Sequence, residues 1–259
     1  MKIYILADME GISGIRMREQ VVRDHPMHGP GCDLMMADIN AAIDAAFEAG
    51  ATEVVACDTH MMGGQIYVPK MDARAVYETP NAGRMMPSLD QSFSGVILLG
   101  HHARAGTLNG FLDHTMSSES WFEYRINGQA MGEIGIEAAY AGHFDVPVIA
   151  VSGDQAMAEE ARELLGDVEC AVVKWGIGRQ RAKCVSQPEA HRRIRQAVGN
   201  ALKSIRRFAP FKPSLPATIQ LTLYRSDMAD DRMGPPGVER VDARTVRKTI
   251  PTFEGFRGW

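Results

Sequence analysis

The sequence lacks the features that would place the protein in a membrane or on nucleic acid. No apolar run in its 259 residues approaches the roughly 18–20 residues that a membrane-spanning helix needs. Its 28 basic and 32 acidic residues give a net charge of -4, so neither nucleic acid nor an anionic membrane is an expected partner. Only four cysteines are present, and none belongs to a CxxC pair, which excludes a zinc ribbon.

The N-terminal apolar run is short. Asp8 and Glu10 interrupt it and no small-residue cleavage site follows, so we interpret residues 2–9 as a first strand and not as a signal peptide. We therefore expect a cytoplasmic protein, in which the cysteines stay reduced.

Apolar segments without alternation, interleaved with segments of helical periodicity, make up most of the chain. We predict strands over residues 2–9, 52–57, 96–99, 146–151, 168–173 and 217–224. We predict helices over residues 33–49, 132–141 and 186–208, and a type I′ hairpin turn at Asn127-Gly128. This pattern indicates the α/β fold class, with a mostly parallel sheet that carries helices on both faces and a smaller C-terminal α+β portion. We divide the chain into residues 1–185 and 186–259, the second a long helix and strand region that can share one globule with the first.

Four polar clusters follow predicted strands or begin a helix: Asp8-Met9-Glu10, Asp58-Thr59-His60, His101-His102 and Glu133. A strand-end Asp is often only a helix cap, and a lone His is often only a hydrogen-bonding side chain. Active sites of open parallel sheets, however, lie beyond the carboxyl ends of the strands. The joint position of the four clusters on one rim therefore predicts a site in the domain of residues 1–185.

The residue types at this rim indicate metal. Imidazole and carboxylate ligands suit zinc, or manganese where oxygen dominates. Two ions need about six protein contacts, which five side chains supply if one carboxylate bridges. The candidates are Asp8, Glu10, His60, His102 and Glu133. Asp8 and Glu10 alternate along the predicted strand and so share one face, whereas His101 is a competing ligand beside His102. Such a site predicts a two-metal hydrolase.

The same residues carry a family resemblance. The motifs occur in one order over roughly the first 190 residues: Asp8-Met9-Glu10-Gly11-Ile12-Ser13-Gly14, Asp58-Thr59-His60, Gly100-His101-His102-Ala103-Arg104-Ala105, His114-Thr115-Met116, Ile126-Asn127-Gly128, Gly132-Glu133-Ile134-Gly135 and Val146-Pro147-Val148. Together they resemble peptidase family M55, the D-aminopeptidases of Bacillus type that belong to dipeptide-transport operons.

The resemblance implies an activity, a cofactor and an assembly. It implies zinc-dependent release of N-terminal D-amino acids, with D-Ala favoured, from short peptides. It implies two Zn²⁺ per subunit on the five ligands named above, with Asp8 bridging. It also implies a ring-like homo-oligomer whose active sites face an internal cavity, and His114 as the catalytic residue, which the family describes as a nucleophile.

We assign His114 a different role, because metal ions that activate water make a covalent imidazole intermediate unnecessary. General acid–base catalysis, or a hydrogen bond to the oxyanion, is the more economical role. Asp113 is a candidate orienting partner for His114, and Asp58 is expected either to fix the tautomer of His60 or to cap the next turn. Arg104 either pairs with a substrate carboxylate or forms a structural salt bridge.

Two other functions stay open. A dinuclear-metal amidohydrolase of another amide, such as a β-peptide or a cell-wall fragment, would use the same ligands. A non-catalytic metal or small-ligand binding protein would keep the fold and lack the reaction.

Overall fold

The computed structural model describes residues 1–81 and 83–254 as two β-sheets with helices between and around them. The strands are β1 Lys2–Ala7, β2 Glu53–Asp58, β3 Val76–Glu78, β4 Gly95–His101, β5 Trp121–Ile126, β6 Gln129–Met131, β7 Val148–Asp154, β8 Glu169–Gly176, β9 Ala182–Cys184, β10 Ala217–Leu223, β11 Glu239–Arg240 and β12 Thr245–Ile250. The helices are α1 His28–Glu48, α2 Glu133–His143, α3 Gln155–Leu165, α4 Gln187–Lys203 and α5 Ser226–Asp230.

The larger sheet has the strand order β3-β2-β1-β4-β7-β8-β9 and is parallel except at β9. Near the end of β1, Ala7 is paired with Asp58 of β2 and with Leu99 of β4. The carboxyl ends of these three strands therefore lie side by side, as the sequence predicted. This sheet and its helices confirm the predicted α/β fold class.

Helices cover both faces of this sheet, which explains why its strands are apolar without alternation. Ile3 and Ile5 of β1 pack in one core cluster with α1 and α4. Tyr4 and Leu6 pack in the other cluster with α2, α3 and one face of the smaller sheet. The central strand therefore has buried side chains on both sides, and only its carboxyl end is free to present polar groups.

The smaller sheet is antiparallel, with the order β11-β12-β10-β5-β6. Asn127 and Gly128 connect β5 and β6 with φ of 50° and 85°, the positive values that the predicted type I′ turn requires. Strand β10 pairs with β5, and α4 packs against α1 and β8. The division after residue 185 stays a prediction, and residues 255–259 of the predicted C-terminal portion lie outside the described residues.

Several predicted boundaries differ from the structure; α1, for example, begins at His28 and not at residue 33. Strand β1 ends at Ala7 and not at residue 9, so Asp8 and Glu10 lie in the turn after it. The long C-terminal helix ends at Lys203, and a short 3₁₀ turn follows over Ile205–Arg207. Ser186 occupies the N-cap position of α4 but makes no side-chain capping hydrogen bond.

Within the described part of the chain, no helix combines the length and the apolarity that a bilayer crossing requires. The longest of the helices named above, α1, has 21 residues and includes polar and acidic side chains such as Asp38 and Asp44.

Gly11 brings the turn after β1 against the end of β4. Its N–H donates to the carbonyl of Gly100 at 2.6 Å. A Cβ on Gly11 would lie 2.0 Å from the His101 carbonyl oxygen, which no real Cβ contact allows. A glycine is therefore required here for the two polar segments to approach each other.

Replacing Gly11 with alanine is expected to lower the free energy of unfolding by about 1–3 kcal/mol or more, because the backbone of β4 must shift. Gly29→Ala is the matched control, since nothing lies within 4 Å of a Cβ at that helical position. Urea unfolding of both variants checks the prediction. A Gly11→Ala protein as stable as the wild type would contradict it.

Candidate metal centre

Asp8 lies at the middle of a buried polar cluster beyond the carboxyl ends of β1, β2 and β4. Its N–H donates to the Leu99 carbonyl at 2.8 Å, which continues the β1–β4 pairing by one residue and fixes the side chain over the sheet edge. Oδ1 lies 3.2 Å from Nδ1 of His60, and Oδ2 lies 3.3 Å from Nε2 of His102. One carboxylate therefore contacts both imidazoles.

The first half of the cluster comprises Asp8, Glu10 and His60. Glu10 Oε2 lies 3.1 Å from His60 Nδ1. The opposite ring atom, Nε2, donates its hydrogen to the Val21 carbonyl at 3.0 Å. This bond fixes the ring and leaves Nδ1 free to accept a metal ion. Asp8 and Glu10 thus converge as predicted, through the turn after β1 and not through strand alternation.

The second half comprises His102, His114 and Glu133. His102 Nδ1–H donates to the Ala103 carbonyl at 3.0 Å, so Nε2 is the free ring atom. Glu133, the first residue of α2, places Oε1 3.4 Å from His102 Nε2 and 3.5 Å from His114 Nε2. Within each half, one ligand atom from each residue lies within 4.8 Å of the others.

The buried charges of the cluster call for a cation. Burial raises the pKa of Asp8, but the His102 and His60 imidazoles outweigh burial and hold it well below its usual value. Burial likewise opposes the charge of Glu133, yet His102 and His114 lower its pKa to about 2. Asp8 Oδ2, Glu10 Oε2 and His102 Nε2 are buried without a hydrogen-bond partner. Oxygen and nitrogen donors of this kind fit a zinc ion.

His114 stacks on His102 with ring centroids 4.0 Å apart and an interplanar angle of 10°. Its Nδ1–H donates to the Leu112 carbonyl at 2.8 Å, which directs Nε2 toward Glu133. Leu112 adopts a φ of 52°, a costly conformation for a branched side chain. Asp113 is not the predicted orienting partner, because its carboxylate instead accepts the Gly106 N–H at 2.6 Å.

His101 does not face the cluster. It is fully buried, with Nε2 2.6 Å from Oε2 of Glu137 on α2. Consecutive residues at the end of β4 thus point to opposite sides. Of the two neighbouring histidines, only His102 contacts Asp8 and Glu133.

Asp58 and Arg104 also have defined partners. Asp58 accepts the Gln65 N–H at 2.7 Å and so caps the loop after β2, which is the second of its two expected roles. The Val21 carbonyl, and not Asp58, orients the His60 ring. Burial raises the pKa of Asp58 to about 6. Arg104 lines a separate small cavity beside Glu160, whose carboxylate accepts the Arg104 backbone N–H.

Lys174 is a supporting residue that the sequence analysis did not single out. It is fully buried in β8, and its Nζ donates to the carbonyls of Glu10 and Ile15, each at 2.7 Å. Burial lowers its pKa to about 8. Lys174 thereby closes the turn that carries Glu10. In the sequence, Lys174 is recognisable as a charged residue within the otherwise apolar segment 170–175 of β8.

A cleft of about 830 Å³ opens onto the cluster. Asp8, Glu10, His60, His114 and Glu133 form part of its wall. This volume lies within the range of about 300–1,000 Å³ that small-molecule sites occupy. The cleft wall also contains Arg18, Arg179 and Glu119, none of which the sequence analysis identified.

The comparisons with known proteins identify the family of this chain. The model of the Peptidase M55 family, described as D-aminopeptidase, matches residues 1–257. The chain belongs to peptidase family M55. It is therefore a metal-dependent aminopeptidase, and the predicted family and enzyme class are confirmed.

Two relatives from Bacillus subtilis show the extent of the likeness. The D-aminopeptidase of strain 168 is 36% identical over 215 residues, which are 82% of this chain and 78% of the relative. The solved structure of the zinc-dependent D-aminopeptidase DppA, described as a self-compartmentalizing protease, superposes with a TM-score of 0.94 at 31% identity. The superposition covers 99% of this chain and 94% of that one.

Paired substitutions separate the two neighbouring histidines. His102→Gln is expected to reduce the zinc content of the purified protein, because it removes the ring atom that faces Asp8 and Glu133. His101→Gln is expected to keep the zinc content and to lower stability, since Glu137 loses its partner. Elemental analysis and thermal unfolding check both variants. Zinc loss in His101→Gln with retention in His102→Gln would reverse the assignment.

Proposed function

We propose that this chain is a zinc-dependent D-aminopeptidase that releases N-terminal D-residues, D-Ala among them, from short peptides. The observation that carries the proposal is the pair of imidazole–carboxylate groups that share Asp8 at the end of a peptide-sized cleft. The relatives described as D-aminopeptidases, one of them zinc-dependent, support the choice of metal and substrate.

Five side chains would hold two zinc ions. Glu10 and His60 would bind one ion, His102 and Glu133 the other, and Asp8 both. When bound, zinc supplies a Lewis acid that polarises the peptide carbonyl and lowers the pKa of water. Three carboxylates against two divalent ions would leave one net positive charge, which would favour binding of an anionic oxygen. The same imidazole and carboxylate donors would also bind manganese or another divalent ion, although they suit zinc better.

The chain's own contribution to proton transfer comes from His114. Because Nδ1–H is held by the Leu112 carbonyl, Nε2 is the atom that faces the reacting groups. Nε2 can accept a proton during attack on the amide and return it to the leaving amine. As an imidazolium it can also donate a hydrogen bond to the tetrahedral oxyanion. Nothing in this arrangement requires a covalent bond to His114.

We further infer that the protein forms a homo-oligomer, ring-like in shape, with its active sites facing an internal cavity. The self-compartmentalizing relative supports this inference. The cytoplasmic location stays a prediction of the sequence.

Zinc and stereochemistry can be tested together. Purified protein is expected to contain zinc and to hydrolyse D-Ala-p-nitroanilide faster than the L isomer. A chelator should abolish turnover, and added zinc should restore it. Turnover restricted to L substrates would contradict the D-specificity, turnover of only a β-alanyl amide would favour the broader amidohydrolase, and zinc without any turnover would favour a binding protein.

Substitution of His114 tests its role. His114→Ala is expected to lower kcat by about 10²–10⁴-fold with its zinc content intact, as for loss of a general acid–base group. His143→Ala, at the far end of α2 and outside the cleft wall, is the control and should keep its activity. Loss of zinc from His114→Ala would instead make His114 a metal ligand, as its grouping with His102 and Glu133 permits.

A further inference from the structure

Two arginines contribute positive charge to the cleft wall. Arg18 and Arg179 both line the cleft, and both side chains are exposed. Apart from the carboxylates of the metal cluster, the acid in the cleft wall is Glu119. The cleft wall therefore combines buried acids with exposed cationic groups.

The guanidinium of Arg179 contacts Asp113 through its Nε atom. Its Nε lies 3.3 Å from the Asp113 carbonyl oxygen and 3.3 Å from Oδ1 of the same residue. Within residues 1–81 and 83–254, the hydrogen bond of the Arg179 guanidinium is made by Nε, and neither terminal nitrogen donates one. The side chain is 43% exposed, so the free edge is accessible from the cleft.

The backbone of Arg179 is fixed to the segment that carries His114. The Arg179 carbonyl accepts the N–H of Leu112 at 2.7 Å, and the Leu112 carbonyl accepts from His114 Nδ1. Asp113, between them, holds the Arg179 side chain. The hairpin tip after β8 and the His114 segment are thus joined by backbone and side-chain bonds, which keeps Arg179 at a set position relative to the reacting centre.

We propose that Arg179, assisted by Arg18, binds the free C-terminal carboxylate of a short peptide whose N-terminal residue lies at the metal centre. This inference rests on the proposed aminopeptidase function. A guanidinium whose two terminal nitrogens donate no hydrogen bond matches the two oxygens of a carboxylate. An extended di- or tripeptide spans about 7–11 Å at 3.3–3.6 Å per residue, so its N-terminal residue and its C-terminal carboxylate can contact different parts of one cleft.

The sequence analysis considered Arg104 as the partner of a substrate carboxylate. Arg104 lies at a separate cavity, and Arg179 takes this role in the proposal. It also specifies the substrate class. Short peptides with a free carboxylate would be preferred over amides, esters and long chains, because only their end charge reaches the arginine. The exposed side chain of Arg18, which has no hydrogen bond or ion pair to the side chains or backbone of residues 1–81 and 83–254, is the second cation for the same oxygens.

The experiment compares D-Ala-D-Ala with D-Ala-D-Ala amide in the zinc-loaded protein. The wild type is expected to favour the acid, and Arg179→Gln to lower the ratio of kcat/KM for acid over amide by about tenfold or more, mostly through KM. Arg181→Gln is the matched control, because Arg181 is two residues away, lies outside the cleft wall and donates to the Gln180 carbonyl. Its ratio should equal the wild-type ratio.

A binding measurement separates failure of this inference from failure of the proposed function. Calorimetry with the acid and the amide on His114→Ala protein, with and without Arg179→Gln, needs no turnover. Tighter binding of the acid that depends on Arg179 supports the inference even if no substrate is hydrolysed. Equal changes for acid and amide show a merely structural role, and equal binding of the two ligands before substitution, or binding of neither, overturns the inference.

Discussion

The arrangement around the Asp8 carboxylate is the constraint on which the rest of the site depends. Its two oxygens face two different imidazoles, at 3.2 and 3.3 Å, and each imidazole is approached by a further carboxylate. Three buried carboxylates so close together repel one another unless cations lie between them. The histidines, whose pKa values the acids raise well above normal, supply that charge as imidazolium, and divalent ions would supply it while displacing the protons. The fold therefore holds in place a set of buried oxygen and nitrogen donors whose negative charge favours bound cations.

Contacts with the backbone orient the donor side chains and fix the turn that carries Glu10. The second nitrogen of each candidate histidine donates to a backbone carbonyl, that of Val21 for His60 and that of Ala103 for His102. The turn that carries Glu10 is fastened by the buried ammonium of Lys174, and the close approach of that turn to β4 requires Gly11. Each of these contacts uses backbone groups, which fix position without adding a further ligand.

The sequence was sufficient to place the candidate ligands on one rim, because parallel strands align their carboxyl ends and the apolar pattern located the ends of β1, β2 and β4 to within about two residues. The sequence analysis brought Asp8 and Glu10 together by alternation along a strand. In the structure β1 ends at Ala7, and the turn after it brings the two acids together. It could not choose between His101 and His102, because the choice depends on the packing of α2, whose Glu137 takes His101. Register at a strand end is decided by such tertiary partners.

The remaining features involve contacts between distant segments or unusual backbone conformations, neither of which periodicity encodes. The positive φ of Leu112 turns its carbonyl toward His114, and the hairpin tip with Arg179 meets that segment only in three dimensions. The most direct test of the account is a crystal structure of the zinc-loaded protein with anomalous diffraction at the zinc edge. The account predicts two anomalous peaks per subunit, on either side of Asp8, one beside His60 and the other beside His102. A single peak, or a peak that Asp8 does not contact, would contradict it.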